Sequence, residues 1–171
     1  EEVCLSVRSD IRRQTAKDLQ AEGKPVIEHP AFAVIDLLLN EYKRPGKAAG
    51  GGFYQYPSGG QKYLWPELKT RFETADGQIS PKDVRDRLMF VQAIETVRCL
   101  EEGVLTSTAD ANIGSIFGIG FAAWTGGALQ FINQYGVQDF VARAQYLAEQ
   151  YGERFTPPAL LLEKAARGET F

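Results

Sequence analysis

Residues 80–103 read SPKDVRDRLMFVQAIETVRCLEEG, and this stretch decides the fold. Ser80 suits the cap of a helix, Pro81 the first helical position, where its missing N–H costs nothing, and Asp83 places negative charge in the first turn. Val84, Leu88, Val91, Ile94, Val97 and Leu100 recur every three or four residues, the spacing that lines one helical face. Met89, Phe90 and Cys99 widen that stripe, while Arg85, Gln92, Glu95, Arg98 and Glu102 take the other side. Gly103 tolerates left-handed backbone angles, so the spacing predicts one helix from Pro81 to about Gly103. At a rise of about 1.5 Å per residue it spans roughly 33 Å, long enough to be the spine of a domain.

Downstream, Ser107-Thr108-Ala109-Asp110 opens a second helix expected to end near Gly118. From Ile113 to Trp124 the sole polar side chain is Ser115, and Gly114, Gly118 and Gly120 interrupt the run. It is too short for the ~20 residues that span a bilayer, so a buried turn or ligand wall is expected. Leu129, Ile132 and Tyr135 mark a third helix over 128–135, and Phe140 to Tyr151 a fourth that Gly152 ends. Pro157-Pro158 introduces the last, with Leu160, Leu161 and Ala165 as its apolar face before Gly168.

Upstream, Leu5, Ile11 and Leu19 suggest a polar amphipathic helix from about Val3 to Ala21. His29-Pro30 begins another, lined by Ala31, Val34, Ile35, Leu38 and Leu39 up to Tyr42. Gly50-Gly51-Gly52 and the aromatic run Phe53-Tyr54-Gln55-Tyr56 read as a turn and an extended arm, followed by a small helix from about Trp65 to Phe72. The division expected is 1–73, a polar linker at 74–79, and 80–171. Five or more helices with almost no strand pattern make the class all-α.

The 171 residues suffice for one domain or two small ones, able to bury roughly 70% of the unfolded surface. A net charge of −3 argues against nucleic acid, which requires clustered Lys and Arg. The basic group Lys43-Arg44-Pro45-Gly46-Lys47 reads as a solvated turn. Cys4 and Cys99 lack metal or CxxC spacing, which points to a reducing, cytoplasmic setting and to Cys99 as inert packing. The opening Glu1-Glu2-Val3-Cys4 has no leader-like pattern and no initiating Met, so the chain is expected to begin within a longer polypeptide.

No complete catalytic constellation is present. Gly118-Ile119-Gly120-Phe121-Ala122-Ala123 has the spacing GxGxxA, but a capped helix precedes it where a dinucleotide fingerprint needs a β-strand, so close helix packing is expected instead. Gly50 to Gly52 offers either an anion-binding nest or a plain turn that seats Phe53 and Tyr54. His29, the sole histidine, stands at a helix start and is expected to cap it. Glu95 and Arg98 are expected to form an exposed ion pair.

The block Asp86-Arg87-Leu88, Glu95-Thr96-Val97-Arg98-Cys99-Leu100-Glu101-Glu102-Gly103, Ala109-Asp110, Gly118-Ile119-Gly120-Phe121 and Gly126-Gly127 resembles the C-terminal domain of 3-hydroxyacyl-CoA dehydrogenases. More narrowly, it is similar to the second of two tandem C-terminal repeats in multifunctional fatty acid β-oxidation enzymes, the α-subunits of fatty oxidation complexes. Gly50-Gly51-Gly52-Phe53-Tyr54-Gln55-Tyr56 resembles the end of the first repeat. The resemblance implies a helical fold like that C-terminal domain, of the 6-phosphogluconate dehydrogenase C-terminal type, with a short arm around 53–56.

It further implies a parent chain with an enoyl-CoA hydratase region and a Rossmann domain that oxidises 3-hydroxyacyl-CoA with NAD, bound outside these residues. The repeats would pack on the Rossmann domain and help close the acyl-CoA cleft, with Phe53, Tyr54, Phe121, Trp124, Gly126 and Gly127 as wall or interface residues. The family's Asn-Arg pair is Asp86-Arg87 here, its Pro-Pro-Phe is Ala122-Ala123-Trp124, and a usual Asp is Asn133. Catalytic, cofactor and metal residues are expected to be absent from this chain, leaving it inactive alone, with a thiolase subunit and self-association as further partnerships. Two other readings stay open: a non-catalytic interaction module, and a small-ligand-binding helical protein using the turn near Trp124.

Overall fold

A computed structural model describes residues 4–26, 28–73 and 79–171. The chain divides into two compact units, Glu1–Gly77 and Gln78–Phe171. Except for Ile79, the expected linker falls outside the described residues, as does Val3.

In the first unit α1 (Leu5–Ala21) pairs with α2 (Pro30–Asn40). Leu5 and Leu38 are buried between polar flanks, Ile11 is exposed, and Arg12 reaches Asp36 at 2.9 Å. The His29 ring nitrogen Nδ1 accepts the Ala31 amide at 3.1 Å, so the lone histidine caps α2. Beyond α2 the chain forms a two-stranded antiparallel arm, β1 (Tyr54–Gln55) with β2 (Tyr63–Leu64), then a short α3 (Glu67–Phe72). Arg44, read as part of a solvated turn, is the hub of this region. It donates to the carbonyls of Gly52 and Tyr54 at 2.8 and 3.0 Å and to Gln55 at 3.0 Å, and lies 4.4 Å over Trp65. A side chain at Gly51 would collide with that guanidinium at 2.6 Å.

The second unit is all helical: α4 (Pro81–Glu101), α5 (Thr108–Ile119), α6 (Ala128–Tyr135), α7 (Val137–Tyr151) and α8 (Ala159–Arg167). Ser80 Oγ accepts the Asp83 amide, and Ser107 Oγ that of Asp110, as their positions predict. Phe90, Ile94 and Val97 of α4 meet Leu129, Ile132, Phe140, Leu147, Phe155 and Leu161 in one core, with Phe90 and Phe140 stacked at 4.0 Å.

Two expectations are corrected. The stripe read along α4 is not one face. Each i+3 step falls about 60° short of a full turn, so the run from Val91 to Leu100 winds to the opposite side of the helix. The buried face is Asp83, Asp86, Phe90, Ala93, Ile94 and Val97, while Val84 and Leu88 are 44% and 62% exposed. Nor is the run from Ile113 to Trp124 a buried turn. Phe121 is buried, but Ile113, Phe117, Ile119 and Trp124 project into solvent, Phe117 with 85% of its surface. Glycines keep α5 thin, so only its Ala111 and Ser115 side is buried within the unit.

The junction of α5 with α6 is built from polar atoms. Asn112 Oδ1 accepts the amides of Leu129 and Gln130 at 3.0 Å each, and Ser115 Oγ accepts that of Ala128 at 3.0 Å. Two side chains of α5 thus cap α6, satisfying donors its own start at Gly127 leaves open. Gly127 is required there, since a Cβ would sit 2.5 Å from the Asn112 Cα. Replacing Asn112→Ala is expected to lower unfolding free energy by about 1–3 kcal/mol in urea titration, because two buried amides lose their acceptor, while Asn112→Asp keeps it and stays near wild type. Equal stability in all three proteins would contradict the cap.

Candidate functional site

The residues singled out by resemblance fall in both units. Phe53 and Tyr54 are half-buried in the arm, where the Phe53 carbonyl accepts the Trp65 amide and Lys62 lies 5.0 Å from the Tyr54 ring. In the second unit Phe121 is buried, its ring 5.9 Å from that of Phe131. Gly126 and Gly127 form the bend into α6, and Trp124 points outward from the 3-10 turn before them, 79% exposed. Around this bend Thr125 is fully buried, its hydroxyl donating to the Ala122 carbonyl at 2.7 Å and accepting the Gly127 amide at 3.2 Å.

Both glycine patterns are committed to the backbone. Gly118 to Gly120 lies at the C-terminal end of α5, where Gly120 closes the helix at φ 72° and donates to Ile116. Carbonyls and the negative end of the helix dipole face that position, the wrong sign for a pyrophosphate. At Gly50 to Gly52 all three amides donate to carbonyls, of Lys47, Gly46 and Tyr54. No anion nest is left there.

Charge concentrates instead on the buried side of α4, which the sequence reading passed over. Arg143 of α7 donates through Nε to Asp86 at 2.8 Å and through a terminal nitrogen to Asp83. Lys82 reaches the same Asp86 oxygen at 2.7 Å, and the Tyr151 hydroxyl donates to Asp83 at 2.7 Å. Arg87 covers the Tyr151 ring at 4.5 Å. The Arg143 guanidinium, followed by the Tyr151 hydroxyl, holds the Asp83 carboxyl below its ordinary 3.8, and that same hydrogen bond to Asp83 raises the Tyr151 phenol. With Arg143 and Tyr151 on Asp83, and Arg143 and Lys82 on one oxygen of Asp86, the cluster joins two helices. Asp86 is engaged in this joint. Asp83, Asp86 and Phe90 at helical spacing, and an arginine between Phe140 and Ala144 of α7, were the available sign of it.

Elsewhere, Glu95 and Arg98 pair at 3.0 Å on the surface, and Arg98 also reaches the Thr156 carbonyl at 3.1 Å. The side chain of Asn133 grips the backbone of Phe171 from both sides, accepting its amide at 3.0 Å and donating to its carbonyl at 3.2 Å, which an aspartate would not do. Cys4 and Cys99 are free thiols. Among the described residues no three His, Cys, Asp or Glu are placed to hold a metal, and no helix is long and apolar enough to cross a membrane.

Beside a charged cleft of about 750 Å³ in the first unit, around Arg12, Arg13, Glu28, His29 and Asp36, lie two more, one in each unit. One, about 590 Å³, lies between α1 and α2 and is lined by Ile11, Ala16, Leu19, Phe32, Arg8 and Arg12 among others. The other, about 420 Å³, runs between α4 and α5, with Val91, Cys99, Leu105, Ala111, Gly114 and Ile119 in its walls. The hydroxyls at its floor are spent, Thr96 on Gln92 and Ser115 on Asn112, so most of its wall is apolar.

No family model matches the chain. Over 138 residues, 81% of the chain, it is 36% identical to the fatty acid oxidation complex subunit alpha of Vibrio vulnificus (strain CMCP6). Those residues make up 19% of that protein, so the chain spans about a fifth of the length of the curated relative it matches. The chain is related to a region of that subunit.

Stability should follow the Asp83 charge. A depressed folded-state value means that its contribution is present above the unfolded value near 3.8 and is lost as pH falls through the folded one. Arg143→Met removes the guanidinium that two buried carboxylates share, so its urea midpoint should lie below wild type at pH 7, with the gap narrowing at pH 3 as they protonate. A gap unchanged between the two pH values would contradict the network.

Proposed function

We propose that this chain is the C-terminal helical part of a multifunctional β-oxidation enzyme, comprising the end of a first repeat over 1–73 and a second repeat over 80–171. The observation that carries this is the 36% identity over 81% of the chain to a fatty acid oxidation complex subunit. In this reading the parent oxidises 3-hydroxyacyl-CoA to 3-oxoacyl-CoA with NAD and hydrates enoyl-CoA, in the cytoplasm and beside a thiolase subunit. The present residues pack on its Rossmann domain and help to close the acyl-CoA cleft. Phe53, Tyr54, Phe121, Trp124, Gly126 and Gly127 serve there as wall or interface residues; of these, Trp124 and Gly126 are exposed and the best placed to meet another domain.

The chain's own chemistry fits a supporting part. Hydride transfer needs a bound nicotinamide and a positioned base. The sole histidine spends one ring nitrogen on a helix cap, and the GxGxxA glycines sit at a helix C-terminus. Purified chain with NAD and a 3-hydroxyacyl-CoA is expected to generate no NADH absorbance, and turnover would contradict this. Deleting 80–171 from the native polypeptide is expected to lower 3-hydroxyacyl-CoA oxidation in extracts of its source cells; unaltered oxidation would count against the reading itself.

A second reading, a non-catalytic interaction module, is favoured by the exposed apolar face of α4 and α5.

A further inference from the structure

We propose that residues 168–171 are a strap with a latch of its own, which opens and closes over α6 and α8 while the helices beneath it stay folded.

Backbone geometry creates the strap. α8 stops at Arg167, and Gly168 at φ 67° turns the chain back, its amide donating to the Ala165 carbonyl at 3.2 Å and that of Glu169 to the Lys164 carbonyl at 2.9 Å. Beyond that turn Glu169 and Thr170 are exposed, and Phe171 alone is half-buried, against the core of the second unit. One ring is thus the whole apolar anchor. A segment fastened by so little apolar area opens more readily than the helices it lies on, and its polar contacts decide how long it stays shut.

Two side chains make those contacts. Asn133 of α6 takes both polar groups of one residue, its Oδ1 accepting the Phe171 amide at 3.0 Å and its Nδ2 donating to the Phe171 carbonyl at 3.2 Å. Gln130 Oε1 accepts from the same Nδ2 at 3.4 Å, which favours this orientation of the Asn133 amide. Lys164 of α8 holds the strap one residue earlier. Its Nζ donates to the Thr170 carbonyl at 2.8 Å, stands 3.8 Å from the Glu169 carboxylate and lies 5.2 Å from the centre of the Phe171 ring. Only 20% of the Lys164 side chain is exposed, so these partners replace much of its water. Both grips fall on the backbone of 170 and 171, and breaking them disturbs no hydrogen bond within α6 or α8.

The test is native-state hydrogen exchange at the Phe171 amide, followed by NMR on the full 171-residue chain beside its urea midpoint. In wild type the amide should exchange at least about tenfold more slowly than in an unstructured peptide, yet faster than the core amides of Ile132 and Leu147. Asn133→Ala should bring it near the unstructured rate, and Asn133→Asp, which keeps the acceptor and loses the donor, to a rate between the two. Lys164→Met should speed it about threefold. The urea midpoint should stay close to wild type in all three. Wild-type exchange at the unstructured rate would overturn the strap, and so would exchange at the rate of the core amides, which would mean that only global unfolding releases it. A rate unchanged by both Asn133→Ala and Lys164→Met, or a fall in urea midpoint large enough to account for the faster exchange, would equally overturn it.

Discussion

The second unit depends on the two carboxylates that α4 turns inward. Asp83 and Asp86 enter the fold only because Arg143 and Tyr151 of α7, with Lys82, meet them there. Buried carboxylates without partners cost several kcal/mol each, so Arg143 is what allows α4 to turn this face inward. That rotation sends Phe90, Ile94 and Val97 into the core and leaves Val84 and Leu88 outside.

Most of the architecture was legible from caps and periodicity. Ser80, Ser107 and His29 cap the helices that their positions announced, and the starts of α6 and α8 follow the glycine and proline punctuation. What the pattern concealed is which side of a helix is inside. A helix apolar on two faces satisfies a stripe template in more than one way, and a polar residue counted as surface becomes core once a distant arginine pairs with it. Arg143 lies 57 residues from Asp86, beyond any local rule. The same limit hid Asn112, an ordinary polar residue in α5 until it caps α6, and Arg44, whose turn-like neighbours gave no hint of the aromatic and carbonyl partners it gathers.

At the motifs the sequence singled out, the structure shows what each side chain and amide is bonded to. Glycine patterns that mimic phosphate loops have their amides bonded to carbonyls or sit at the negative end of a helix, and the titratable cluster is fully paired. Among the accessible features that remain are clefts with apolar walls and exposed apolar side chains. Relation to a region of a fatty acid oxidation complex subunit is consistent with the proposal that such surfaces pack within a larger chain.

The account turns on whether this chain works as a part of a larger polypeptide, so the deciding measurement is the mass of the native protein that carries it, recovered from source cells and verified by peptide mapping. A polypeptide several times heavier than 18.9 kDa, with Rossmann and hydratase peptides in its map, is the result expected. A native chain of this mass, with no such peptides, would contradict the account.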